Sequence, residues 1–129
     1  MDSHQDFCSY ELSKALKACG FDEPCGKSFK IIPGTEREEW DEEECQWCTV
    51  QDIEYYPKIS LWQAQKWLRE KKKMHCQVLL NGVRSMYFWQ VREMIGNGRY
   101  ADSTHQYDVY EDAMSDCISA ALELIKKGE

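Results

Sequence analysis

The chain is 129 residues long, with 43% hydrophobic, 12% aromatic and 30% charged residues and a formal net charge of −7. That length closes one core and that balance is globular, so a single domain over 1–129 is expected and a disordered chain excluded. No apolar run reaches the ~20 residues of a membrane span, and "MDSHQDFCSYELSK" lacks the basic-then-apolar start of a secretory signal, so the expected location is cytoplasmic.

In chain order, Gln5 to Cys19 is predicted to be a helix. Leu12, Ala15, Leu16 and Cys19 recur at helical spacing, Gly20 suits the left-handed position after the last turn, and Phe21 is placed to fold back on it. From Asp22 to Lys58 the periodicity is weaker. "SFKIIPG" reads as a brief strand stopped by Pro-Gly, "TEREEWDEEEC" (Thr35 to Cys45) as a solvated acidic loop, and "CQWCTVQDIEYY" as another strand rich in aromatic and β-branched residues.

A stronger pattern begins at Ser60. Ser60 and Gln63 form a capping-box pair, and Leu61, Ala64, Trp67 and Leu68 share one helical face. Trp62 points away from that face. The period then becomes two: Met74, Cys76, Val78 and Leu80 alternate with polar and mixed positions, and Asn81-Gly82 is a two-residue hairpin signal. "VRSMYFWQVREMI" is predicted to return as a long strand with Val83, Tyr87, Trp89, Val91 and Ile95 on one face. "GNGR" reads as a turn and "YADSTHQYDVY" as a third strand. From Val109 to Lys127 an apolar stripe of Ala113, Met114, Cys117, Ile118, Ala121, Leu124 and Ile125 predicts the last helix, with Glu111 and Asp112 at its positive end.

The expected fold is therefore α+β: an N-terminal helix, an irregular or short-strand middle, then a helix, a three-stranded antiparallel meander and a helix, with the helices packed on one face of the sheet. Residues 1–57 form its acidic part and 58–129 the α-β-β-β-α part. The charge divides in the same place, with 14 acidic and 5 basic residues before Lys58 and 9 and 11 from there on.

Three stretches, "CGFDEPC", "YPKISLWQAQKWLRE" and "YDVYEDAMSDCISAALELIKKG", resemble small uncharacterised proteins of Bacteroides-type gut bacteria and their prophages and mobile elements. In those proteins a helix ending in a "GFDE" turn precedes a tyrosine-rich loop, a "QAQKWLRE" helix, a β-meander and a terminal helix. The resemblance covers most of the chain. It implies a scaffold and no catalytic residue, because the family has no assigned activity. Val109 stands where relatives often have a threonine N-cap, and the Cys45/Cys48 region departs from the tyrosine-rich loop.

Cys45-Gln46-Trp47-Cys48 has the spacing of a redox pair or half a zinc site. Redox work needs a depressed thiol pKa, which the preceding Asp41 to Glu44 opposes. Zinc needs a second pair, for which Cys19 and Cys25 are the nearest candidates, with His75 or Cys76 as outsiders; buried apolar thiols are the simpler reading. His4, His75 and His105 are scattered and accompany no nucleophile. No phosphate loop or calcium loop is present in the sequence, so no enzyme and no cofactor is expected. The helix–meander–helix order is that of double-stranded-RNA-binding domains, and Arg69 to Lys73 is basic, yet Asp108, Glu111 and Asp112 open the terminal helix and would repel phosphate. Those cations suit a helix C-terminus equally well. The leading expectation is a non-enzymatic protein-interaction domain that meets a protein partner through Trp62 and Trp47 or the acidic segment.

Overall fold

The computed structural model describes residues 7–23, 28–31, 38–41, 48–50, 53–57, 59–83, 85–96, 98–103 and 105–127. Contacts divide the chain into two compact units, Ser9–Ile59 and Met1–Cys8 with Ser60–Glu129.

The first unit opens with helix α1 (Tyr10–Ala18). Ser9 is extended, and its hydroxyl accepts from the Leu12 amide at 3.1 Å, satisfying an N–H that the first turn leaves without a helical partner. The helix therefore starts later than the expected Gln5, and Phe7 forms an isolated antiparallel bridge to Ser60 instead. At the other end Gly20 donates to the Lys17 carbonyl (2.9 Å) and Phe21 to that of Leu16 (3.0 Å). Gly20 has φ 106, which a side chain disfavours, so the stop depends on glycine. Leu12, Leu16 and Phe21 are buried, as the helical spacing requires.

Four strands follow: β1 (Ser28–Ile31), β2 (Glu38–Asp41), β3 (Cys48–Val50) and β4 (Ile53–Pro57). They form one antiparallel sheet in the order β2-β1-β4-β3. β1, β3 and β4 fall in the two stretches read as strands. β2 is a correction, since it lies inside the acidic segment expected to be a loop. Its backbone register sets Glu39 across from Lys30 and Trp40 across from Phe29.

In the second unit Ser60 caps helix α2 (Leu61–Lys71), its hydroxyl accepting from the Gln63 amide at 2.9 Å. Leu61, Ala64, Trp67 and Leu68 are all buried. Lys73, at φ 57, turns the chain into β5 (Met74–Asn81), and its carbonyl accepts from the Met94 amide at 2.8 Å. β5 pairs with β6 (Met86–Glu93), and β6 with β7 (Tyr100–Asp102), as an antiparallel meander. Helix α3 (Tyr110–Lys127) completes the unit. α2 packs on β5, α3 on β5 and β6, and the two helices on each other, so both cover the same face of the sheet. Met74, Cys76 and Val91 lie buried beneath them. The expected α+β arrangement of helix, meander and helix is present.

Three details differ from expectation. Asn81 pairs with Met86, so the connection is longer than the two-residue turn expected at Asn81-Gly82. The Asn81 side chain accepts from the Val83 amide (3.1 Å), and Ser85 takes the left-handed conformation (φ 54); side-chain bonding of this kind competes with the turn that asparagine and glycine otherwise make. Val83 is consequently a loop residue and 95% exposed, and Ile95 lies beyond the end of β6, exposed. On α3 it is Leu122, not Leu124, that joins the buried stripe. Arg99 fixes the β6–β7 turn: it pairs with Glu93 at 2.7 Å and donates to the Leu124 carbonyl at 2.7 Å. Among the described residues no helix is long and apolar enough to cross a membrane.

Candidate functional site: an exposed aromatic groove

The first turn of α2 separates two adjacent side chains. Leu61 starts the buried stripe, and Trp62, one position and about 100° further round, is 68% exposed. The Lys66 ammonium, one turn on, lies 5.5 Å from the indole ring centre, a cation–π contact that still leaves the ring at the surface. The first residue of α3 supplies a second aromatic. Tyr110 is also exposed, and it meets Tyr87 edge-on with ring centres 5.6 Å apart at 90°. Between these two first turns lies a groove of about 310 Å3. Buried Leu61 and Met114 line its base, exposed Trp62 and Tyr110 its rim, and Gln65 and Glu111 add polar groups.

Tyr107 holds the segment that leads into Tyr110. Its backbone exchanges two hydrogen bonds with Tyr87, each 2.8 Å. Its hydroxyl accepts from Trp89 Nε1 at 3.2 Å and donates to Asp116 Oδ2 at 2.5 Å. Burial, and then the bond to Asp116, push its pKa above the usual phenol range, so it acts as a neutral donor that ties the β6 side to α3. On the other side of the groove, Gln65 Nε2 donates to the Cys76 carbonyl at 2.8 Å and fastens α2 to β5. The rim is thus carried on two helices fixed to one sheet. Its chemistry is that of an apolar socket with a carboxylate at the side.

The other residues singled out in the sequence do not join it. Trp47, Cys45 and Cys25 lie outside the described residues, and of Cys48 only the backbone position, at the start of β3, is described. Cys19 is a half-buried residue that caps the end of α1. Among the described residues no three His, Cys, Asp or Glu side chains form a metal-binding group. His75 pairs across from Arg92 at one end of the meander, while His105 packs on Tyr107, ring centres 4.5 Å apart, near the other. In the basic run, Arg69 and Lys71 occupy the last turn of α2, and Lys72 caps it with its ammonium 5.7 Å from the Trp67 ring centre.

Two further thiols meet in the core. Cys76 and Cys117 are buried, and Cys117 donates to the Gln90 carbonyl at 3.3 Å. The hydrogen bond with Cys117, and then burial, push the Cys76 pKa far above the ordinary thiol range. It is therefore a neutral packing group, not a nucleophile.

Sequence reasoning missed Tyr110. Tyr110 precedes Ala113 and Met114 by three and four positions and so extends the α3 stripe by one turn, a position at which the sequence carries no mark of its exposure. Compared with known proteins, the chain matches no family model, no curated protein and no solved structure.

Proposed function

We propose that this chain is a non-enzymatic protein-interaction domain that meets its partner through the groove between the first turns of α2 and α3. The observation that carries this reading is Trp62: it is 68% exposed on a helix whose cap and buried face are complete without it. Large aromatics beside an apolar depression are the usual anchors of protein interfaces, because they bury much area for little lost rotamer freedom. Tyr110 doubles the anchor, and Glu111 favours a partner residue that carries a donor or a positive charge. The setting we infer is the cytoplasm of a host that carries the gene on a prophage or mobile element, as the motif resemblance implies.

The test compares wild type with Trp62→Ala as bait in extracts of the host. The expected outcome is a specific protein retained by wild type and lost with Trp62→Ala. Equal recovery by both baits removes the groove from the account. A second reading, nucleic-acid binding, draws on Lys71 to Lys73 beside a helix–meander–helix unit. It is the weaker one, because Asp108, Glu111 and Asp112 surround the start of α3 and oppose phosphate. Duplex RNA that binds at low salt with a steep salt dependence would favour it.

A further inference from the structure

The meander leaves β5 as an edge strand, paired with β6 alone among the described residues. Antiparallel pairing turns the main-chain groups of alternate residues toward the partner strand and those of the others away from it. Gln65 reaches the Cys76 carbonyl from outside the sheet, so the outward set is Met74, Cys76, Val78 and Leu80. At Cys76 the carbonyl is already capped. Val78 and Leu80 continue the edge beyond that cap.

Edges of this kind are normally guarded by charge, proline, a bulge or a cover, because an open row of N–H and C=O groups is a template for another strand. The stretch from Cys76 to Val83, "CQVLLNGV", contains neither a charge nor a proline. From Cys76 to Asn81 it pairs with β6 residue for residue, without a bulge. Leu80 is 59% exposed, although its position in the alternation is that of a core residue. The opposite edge, β7, has only three residues and ends in Asp102. Among the described residues, the edge that is long and apolar is therefore the one that carries no guard beyond Cys76.

We propose that two copies of this chain associate through β5, the strands running antiparallel about a two-fold axis at Leu79. The occupant is argued from self-complementarity. In this register Val78 lies opposite Leu80 of the second copy, and Leu80 opposite Val78. The outward groups of both residues then exchange main-chain hydrogen bonds. Leu79, on the other face of the sheet, meets its own symmetry mate at the close, non-hydrogen-bonded position. Gln77 lies across from Asn81 of the second copy, so no like charges oppose one another anywhere in the pairing. The interface is isologous and closed, giving one continuous sheet across both copies. Such a strand-edge contact buries less than a standard interface, so association is concentration-dependent.

The test combines light scattering with amide hydrogen exchange, from about 10 μM to about 1 mM full-length protein. The expected results are a rise from monomer to dimer mass and a parallel slowing of exchange at the Val78 and Leu80 amides. Leu80→Lys, checked for an unchanged far-ultraviolet spectrum, is expected to stay monomeric throughout, and Leu79→Lys likewise. Trp62→Ala is expected to dimerise as wild type does, which separates this edge from the aromatic groove. A monomer at every concentration overturns the proposal. So does a dimer that survives both lysine variants, one whose Val78 and Leu80 amides exchange at the monomer rate, or an open-ended assembly larger than a dimer.

Discussion

Trp62 and Trp67 occupy the same helix five positions apart, and the period of that helix sends one ring to solvent and the other into the core. Trp67 is 3% exposed and Trp62 68%. Truncating a buried indole removes its transfer free energy and leaves a cavity, so Trp67→Ala is expected to destabilise the fold by about 3–5 kcal/mol. Trp62→Ala leaves no cavity and is expected to stay within about 0.5 kcal/mol of wild type. Chemical denaturation of the two variants measures both, and a large loss in Trp62→Ala would make Trp62 a core residue. Cys76 carries a different kind of information. Its folded pKa is raised by its Cys117 bond and by burial, whereas an unfolded thiol titrates near about 8.5. Below that value both states hold the proton and the stability is full. Above it the unfolded chain releases a proton that the folded chain keeps, so stability falls as pH rises, by on the order of 1 kcal/mol per pH unit. Denaturant midpoints across the alkaline range should show this slope in wild type and a shallower one in Cys76→Val.

At the scale of elements, what was legible in the sequence is what local chemistry dictates. The caps at Ser60 and Gly20 act within a single turn, and the buried face of α2 follows from spacing alone. α3 was legible for the same reason, apart from the exchange of Leu124 for Leu122, adjacent flanks of one stripe. The start of α1 was less so, because apolar spacing does not outweigh a good N-cap, and Ser9 is one. The acidic strand β2 had no signal of its own: "EEWD" becomes a strand through its pairing with β1, a contact between segments distant in sequence. In the hairpin, Asn81 was expected in a two-residue turn with Gly82; it instead ends β5, its side chain captures the Val83 amide, and a longer connection results. The alternation of β5 and β6 also runs past the helices that cover its first half, so Leu80 follows the core pattern and is still exposed. Of the candidate site, Trp62 was legible by exclusion from a face. Tyr110 was not, because one turn of a stripe carries no mark of where the covering sheet ends.

For the whole molecule, the charge and the groove belong to different parts of the chain. Before Lys58 the balance is 14 acidic to 5 basic residues, and after it 9 to 11. The unit that carries Trp62 and Tyr110 is thus close to neutral, and its recognition rests on apolar contact more than on long-range steering, which a strongly charged face supplies. The central claim is that the groove at the first turns of α2 and α3 is a binding surface separable from the scaffold. A photo-crosslinking amino acid placed at position 62 in the host tests it most directly, with position 127, an exposed site at the far end of α3, as the control. The account predicts one discrete protein adduct from position 62 and none from position 127. No adduct from position 62, or the same products from both positions, would contradict it.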